Sequence, residues 1–141
     1  MLTLSLNGAW KVSPVPCGSD ITSMLSPSFL PEGFLDAHVP EDIHASLRRA
    51  GAIRGNTYNK REDEEQWIEE RDWVYIKAFH VAPEAEGQHL QLVCVGLDTF
   101  CEVYLNGRLL GVHQNMFTPC SLDLTGRLLI GQRNVLLIRF C

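Results

Sequence analysis

The sequence predicts an all-β protein, a sandwich of two antiparallel sheets with one short helix. In residues 73–81, the side chains at alternate positions can share one face of a long strand, with Lys77 as the one polar residue on that face. Asn106-Gly107 stands between two apolar runs, and this pair readily adopts the positive φ angles of a two-residue hairpin turn. Further strand patterns follow at short intervals, whereas helical periodicity occurs once. A length of 141 residues suits a single domain over residues 1–141.

The first half of the chain is predicted to contain one strand and the helix. Residues 7–12 form the first strand, directly after a turn. Residues 13–38 are rich in proline and glycine, so we expect them to be irregular. In residues 41–51, apolar side chains four positions apart share a helical face. Gly51 stands where a glycine commonly ends a helix, so this segment predicts the short helix.

The second half is predicted to consist mostly of strands. The acidic segment 62–72 is either a solvated loop or a short turn of helix before the strand at 73–81. Residues 90–95 are apolar on both faces except at Gln91, as in a strand inside a sandwich. Residues 121–124 and 134–140 predict two further strands after the hairpin.

Composition limits the partners and the compartment. The net charge of −5 and the lack of a basic cluster argue against nucleic acid or an anionic membrane as partner. No apolar run approaches the roughly 20 residues of a membrane-spanning helix. Because no basic region with a following apolar run begins the chain, we expect no signal peptide and a reducing, cytoplasmic location. Five cysteines without a close-spaced pair predict free thiols rather than a disulfide framework or a zinc site. They are Cys17, Cys94, Cys101, Cys120 and Cys141.

A series of short motifs runs through nearly the whole chain in a characteristic order. The motifs are Leu6-Asn7-Gly8-Ala9-Trp10, Val39-Pro40, Trp67-Ile68, Asp72-Trp73-Val74-Tyr75, Gly96-Leu97-Asp98-Thr99, Leu105-Asn106-Gly107 and Asn115-Met116-Phe117. Together they resemble the N-terminal β-sandwich domain of family 2 glycoside hydrolases, specifically of the β-mannosidase type. The resemblance implies a jelly-roll, galactose-binding-like sandwich. It also implies a piece of a longer glycosidase whose immunoglobulin-like and TIM-barrel domains are not in this chain.

The resemblance implies that the catalytic residues lie elsewhere. Retaining glycosidases use two carboxyl groups about 5 Å apart. In proteins of this family both glutamates come from a downstream barrel, the acid/base after an asparagine, and this chain contains no Asn-Glu dipeptide. We therefore expect no catalytic residue, metal or cofactor in this chain, which would be folded but inactive alone. Its expected partners are its own barrel and β-mannoside glycans.

The resemblance also suggests substrate contacts from Asn59, Arg61, Trp67 and Asn115. The chain departs from the family near Asn59 and Arg61, because residues 56–62 differ from the motif that the family usually has there. Two alternatives stay open: Trp67 as a core or interdomain anchor, since an indole buries a large apolar area, and Asn115 as a bond to local backbone. A free-standing carbohydrate-binding module, motivated by Trp67 amid acidic loops, is the alternative function.

Overall fold

A computed structural model describes residues 3–26, 28–41, 43–51, 66–94, 100–114 and 119–141. Strands predominate, and the described residues contain one α-helix, so the predicted fold class is confirmed. The strands and the helix are β1 (Gly8–Pro16), β2 (Leu35–Val39), α1 (Ile43–Arg49), β3 (Arg71–His80), β4 (Gln91–Cys94), β5 (Cys101–Leu105), β6 (Arg108–His113), β7 (Cys120–Asp123) and β8 (Arg133–Phe140). Short 3-10 turns occupy Thr22–Met24, Gln66–Ile68 and Pro83–Ala85. Among the described helices, none combines the length and apolar character needed to span a bilayer.

The strands form two sheets. The larger sheet has the order β2-β1-β3-β8-β5-β6, and the smaller one pairs β4 with β7. Every neighbouring pair is antiparallel. The strand predicted at 73–81 is β3, and it lies beside β8 in the centre of the large sheet. Both edges of these two strands are therefore paired with neighbouring strands.

Two apolar clusters cover the two faces of the large sheet. The main cluster lies between the sheets and includes Trp73 and Tyr75 of β3, Leu92 of β4 and Leu47 of α1. The second cluster lies on the outer face, where Val74, Ile76 and Leu137 meet Val15 and Ile21. Partly buried side chains packed against this second cluster are Met24, Leu25, Phe29, Phe34, Tyr104 and Val135.

The expectation that residues 13–38 are irregular is wrong at both ends of that segment. β1 continues to Pro16 and β2 occupies residues 35–39. β1 pairs with β2 only up to Val12, whereas it pairs with β3 up to Pro16. Beyond Val12 the side of β1 opposite β3 is therefore an open edge, a position that tolerates proline. The residues between these strands cover the outer face of the large sheet.

The predicted hairpin turn is confirmed. Asn106 and Gly107 have φ angles of 50° and 85°, as a turn between β5 and β6 requires. The turn also lies against another loop, because a Cβ on Gly107 would come within 2.3 Å of the Leu25 carbonyl oxygen. Glycine is therefore needed at this position for both its φ angle and its size.

Two other predicted elements differ in detail. The helix is Ile43–Arg49 rather than residues 41–51, and Gly51 follows it with a φ of 77°. β4 was expected to be covered on both faces, yet Val93 is 58% exposed while Leu92 is buried. The reason is that β4 belongs to a two-stranded sheet with one face against the core. Residues 62–65 of the acidic segment lie outside the described residues. The rest of that segment forms a short 3-10 turn at Gln66–Ile68 and enters β3 at Arg71, where Asp72 is buried rather than solvated.

Candidate functional site

The strand register brings several strand ends together at one end of the sandwich. Pro16 is the partner of Arg71, and Phe140 is the partner of Cys101. The small sheet ends here too, because Cys94 faces Cys120, and the Cys120 thiol is close enough to Cys101 to affect its ionisation. We call this end of the sandwich, defined by these six residues, the loop end.

Three of the four predicted substrate contacts lie outside the described residues. These are Asn59, Arg61 and Asn115. Trp67 follows the segment that holds Asn59 and Arg61 and comes just before β3 at the loop end. Gln114 precedes Asn115 and directly follows β6 at the same end. A sugar contact from each of the three residues stays a prediction.

Trp67, the fourth predicted contact, lies beside the core at the loop end. Its ring centroid is 5.8 Å from that of Trp73, with a tilt of 45° between the rings. Trp73 in turn donates its indole N–H to the Ile68 carbonyl oxygen at 2.8 Å, which holds the turn against β3. Trp67 is partly buried against the main cluster. This packing is the anchoring contact expected under the alternative interpretation, and stacking of its exposed portion on a sugar stays a prediction.

A buried ion pair, not identified from the sequence, lies under the loop end. Arg139 donates from Nε and Nη2 to Asp72 Oδ2 at 3.0 and 2.7 Å, and the two side chains are 8% and 4% exposed. The same carboxylate oxygen accepts the Gly18 backbone N–H at 3.0 Å. Arg139 Nη1 donates to the Ser19 carbonyl oxygen at 2.8 Å. The pair therefore ties the turn after β1 to β3 and β8.

The electrostatics of this pair favour a structural role. Burial by itself would raise the pKa of Asp72, but the bonds from Gly18 and Arg139 outweigh it and hold that pKa below its ordinary value. Burial likewise opposes the charge of Arg139, yet the Asp72 carboxylate raises the pKa of the guanidinium. A glycosidase general acid needs the opposite shift, a carboxyl group with a raised pKa. Asp72 is thus a charged hydrogen-bond acceptor rather than a proton donor.

A surface depression of about 510 Å³ lies over the pair. It is lined by Cys17, Gly18, Asp72, Glu102, Arg139 and Cys141. Loss of surrounding water and the nearby Asp72 carboxylate raise the pKa of the Cys17 thiol, which donates to the Glu70 carbonyl oxygen at 2.9 Å. A thiol with a raised pKa stays protonated near neutral pH and is a weak nucleophile. Within the described ranges, no group of three or more His, Cys, Asp or Glu side chains is arranged to hold a metal ion.

One signal could have revealed the ion pair. Arg139 interrupts the apolar run of residues 135–140, and a charge within a strand covered on both faces requires a partner. Asp72 carries no comparable signal, because it ends an acidic segment that the sequence predicts to be solvated.

Comparison with known proteins shows similarity over nearly the whole chain. Residues 12–141 match a family described as glycosyl hydrolase 2 galactose-binding domain-like. The β-mannosidase of Rattus norvegicus is 31% identical over 137 residues, and β-mannosidase B of Thermothelomyces thermophilus is 35% identical over 101 residues. These matches cover 96% and 72% of this chain but only 14% and 12% of the relatives.

Solved structures show the same similarity in three dimensions. The crystal structure of β-D-mannosidase from Dictyoglomus thermophilum superposes with a TM-score of 0.82 and 31% identity, covering 99% of this chain and 16% of that one. A Faecalibacterium prausnitzii β-glucuronidase superposes with a TM-score of 0.72 at 22% identity, covering 97% of this chain and 20% of that one, which shows a shared fold alone. The chain thus corresponds to a small part of each of these proteins.

Proposed function

The chain belongs to the glycosyl hydrolase 2 galactose-binding domain-like family, and we propose that it is the non-catalytic N-terminal domain of a retaining β-mannosidase. The whole protein would hydrolyse terminal β-D-mannosidic bonds. Similarity to named β-mannosidases over 96% and 99% of the chain carries this proposal. The chain would pack on a downstream barrel that supplies both catalytic carboxyl groups, with an immunoglobulin-like domain as a further part of the protein.

The domain would support the active site and form part of the pocket wall. The loop end carries the features that support this role. Trp67 lies there, and the segments with the other predicted contacts adjoin described residues at the same end. The ion pair of Asp72 with Arg139 would keep this end rigid, because it joins two central strands to the turn after β1.

The gene sequence after the Cys141 codon provides the first test. We expect the reading frame to continue into a barrel with a catalytic glutamate after an asparagine. The full-length product should hydrolyse 4-nitrophenyl β-D-mannoside in preference to the β-D-galactoside and β-D-glucuronide. The 141-residue chain should leave all three substrates intact. A full-length product that prefers the glucuronide, or hydrolysis of the mannoside by the chain alone, would contradict the proposal.

A carbohydrate-binding module is the second candidate function. The observation that favours it is the incomplete burial of Trp67 at the loop end, since an exposed aromatic face can stack on a sugar ring. Calorimetric titration of the 141-residue chain with mannose oligomers separates the two functions. Dissociation constants of about 1 mM or tighter, lost in Trp67→Ala but retained in Trp10→Phe, favour the module. No measurable heat favours a domain that contributes to binding only as part of the whole enzyme.

A further inference from the structure

The tripeptide Leu-Asn-Gly occurs twice in the sequence, and the structure holds the two copies differently. Asn7-Gly8 lies where the chain enters β1, and Asn106-Gly107 forms the turn between β5 and β6. An asparagine amide before glycine is open to attack by the glycine nitrogen, because glycine has no Cβ to block the approach. The reaction then depends on how freely the asparagine can bring its Cγ to that nitrogen.

Three hydrogen bonds fix Asn106 to β8. Its backbone N–H donates to the Val135 carbonyl oxygen at 2.9 Å. Its Nδ2 donates to Asn134 Oδ1 at 2.9 Å, and its Oδ1 accepts the Val135 backbone N–H at 2.9 Å. Both polar atoms of the amide are therefore engaged, and the side chain turns toward Gly107 only if these bonds break.

The backbone of this turn also opposes the attack. Asn106 has a φ of 50°, which belongs to the left-handed region where ψ is roughly 30–60° and the next nitrogen points away from Cβ. A neighbouring loop hinders rotation into another conformation, because a Cβ on Gly107 would come within 2.3 Å of the Leu25 carbonyl oxygen. The side chain and the backbone of Asn106 thus both keep Cγ away from the Gly107 nitrogen.

The described residues restrain Asn7 much less. Asn7 is exposed and lies just before β1, outside the ladder that Gly8 begins with Val39. Its backbone N–H donates to Ser5 Oγ at 3.2 Å, whereas no described residue forms a hydrogen bond with its side-chain amide. A Cβ on Gly8 would have nothing within 4 Å, so no described atom crowds that side of the backbone. The Asn7 side chain can therefore rotate toward the Gly8 nitrogen.

We propose that Asn7 is a site of spontaneous deamidation, whereas the fold protects Asn106. The Gly8 backbone nitrogen loses its proton and bonds to Asn7 Cγ, the Cγ–Nδ2 bond breaks, and ammonia leaves with that proton. The product is a cyclic succinimide. Water then opens the ring, which gives aspartate when the new Cγ–N bond breaks and isoaspartate when the original peptide bond breaks. No electrons are transferred, and water is the co-reactant.

Conversion adds a negative charge, and isoaspartate also lengthens the backbone at this point. Trp10 donates its indole N–H to the Leu6 carbonyl oxygen at 2.7 Å, across the Asn7-Gly8 pair. Isoaspartate directs the main chain through Cβ, so it adds one carbon between these two bonded groups. We therefore expect the isoaspartyl form to lose this bond and to be less stable than the aspartyl form.

Incubation of the 141-residue chain at mildly alkaline pH, in native buffer and in guanidinium chloride, tests the proposal. Peptide mapping with synthetic aspartyl and isoaspartyl standards measures the fraction converted at Asn7 and at Asn106. In the native chain Asn7 should convert about tenfold faster than Asn106 or more, since bonds to β8 must break before Asn106 reacts. In the denatured chain the two rates should agree within about threefold, because both asparagines then lie in the same unrestrained tripeptide.

Asn7→Gln provides the matched control, because glutamine keeps the amide but would have to close a larger ring. This variant should lack the more acidic species that accumulates first in ion-exchange chromatography of the native chain, while circular dichroism confirms that it is folded. Equal native rates at Asn7 and Asn106, or faster conversion at Asn106, would overturn the proposal. A preference for Asn7 that persists in guanidinium chloride would also overturn it, because the fold would then not be the cause.

Discussion

The side chains of Asn106 and Asn134 are joined by a hydrogen bond, from Asn106 Nδ2 to Asn134 Oδ1 at 2.9 Å. Asn106 lies in the turn of the β5–β6 hairpin and Asn134 near the start of β8, with an exposed fraction of zero. Asn106 Oδ1 also accepts the Val135 backbone N–H at 2.9 Å. The two amides therefore connect the hairpin turn to β8, the strand beside β5 in the large sheet.

Asn134→Ala is expected to destabilise the fold by about 3 kcal/mol. The Asn134 amide also bonds both backbone groups of Leu129, at 2.8 and 2.9 Å, and the Gln132 carbonyl oxygen at 3.1 Å. Alanine would remove all of these partly buried bonds together with the bond from Asn106. Urea unfolding monitored by tryptophan fluorescence measures the change. Gln132→Ala, which leaves the backbone bonds in place, should change the unfolding free energy by less than about 0.5 kcal/mol, and an equal loss in both variants would contradict the prediction.

Gly107→Ala should be more destabilising than Gly126→Ala. Both glycines have a left-handed φ, 85° and 78°, so alanine is strained at either position by about 1 kcal/mol. Only at Gly107 would the added Cβ also meet a backbone atom, the Leu25 carbonyl oxygen at 2.3 Å, whereas a Cβ on Gly126 has nothing within 4 Å. We expect a further loss of about 1–3 kcal/mol from this clash. Thermal unfolding of both variants measures the difference, and equal midpoints would show that the loop can move aside.

Local patterns in the sequence were sufficient to predict the strands at the centre of the fold. Alternate side chains of residues 73–81 form one largely apolar face, and the Asn-Gly pair of the hairpin has few other conformations open to it. β2 was missed although Leu35, Ala37 and Val39 alternate with polar residues, because the surrounding prolines and glycines suggested an irregular segment. Its formation depends on pairing with β1, which is a tertiary contact.

The site could be predicted only in part, because part of it also depends on tertiary contacts. The strand signals and Trp67 are local, and they placed the indole just before β3 correctly. The pair of Asp72 and Arg139 joins residues 67 positions apart, and it depends on the register of β3 against β8. The apolar faces of both strands together set that register, so it cannot be predicted from a short stretch of sequence.

Arg139→Met is expected to destabilise the fold by about 3–5 kcal/mol. Methionine preserves most of the side-chain volume but leaves the buried Asp72 carboxylate without its cation. Arg133→Met is the matched control, because Arg133 is an exposed residue of the same strand, and its effect should be below about 0.5 kcal/mol. Chemical denaturation of both variants at pH 7 gives the comparison. Equal stability of the two variants would mean that water or the Gly18 N–H stabilises the buried Asp72 carboxylate well enough without the guanidinium.

Asp72→Asn should reduce the sensitivity of the fold to acid. The folded-state pKa of Asp72 lies below its ordinary value of 3.8, so the folded chain binds this proton less readily than the unfolded chain. The stability that the carboxylate contributes is therefore fully present above that ordinary value and is lost as the pH falls through the folded-state pKa. Asparagine has no such titration. The difference in unfolding free energy between wild type and Asp72→Asn should thus be largest near pH 6 and shrink toward about pH 3, measured by urea denaturation at each pH. A difference that stays constant over this range would show that the Asp72 carboxylate has the same pKa in the folded and unfolded chain.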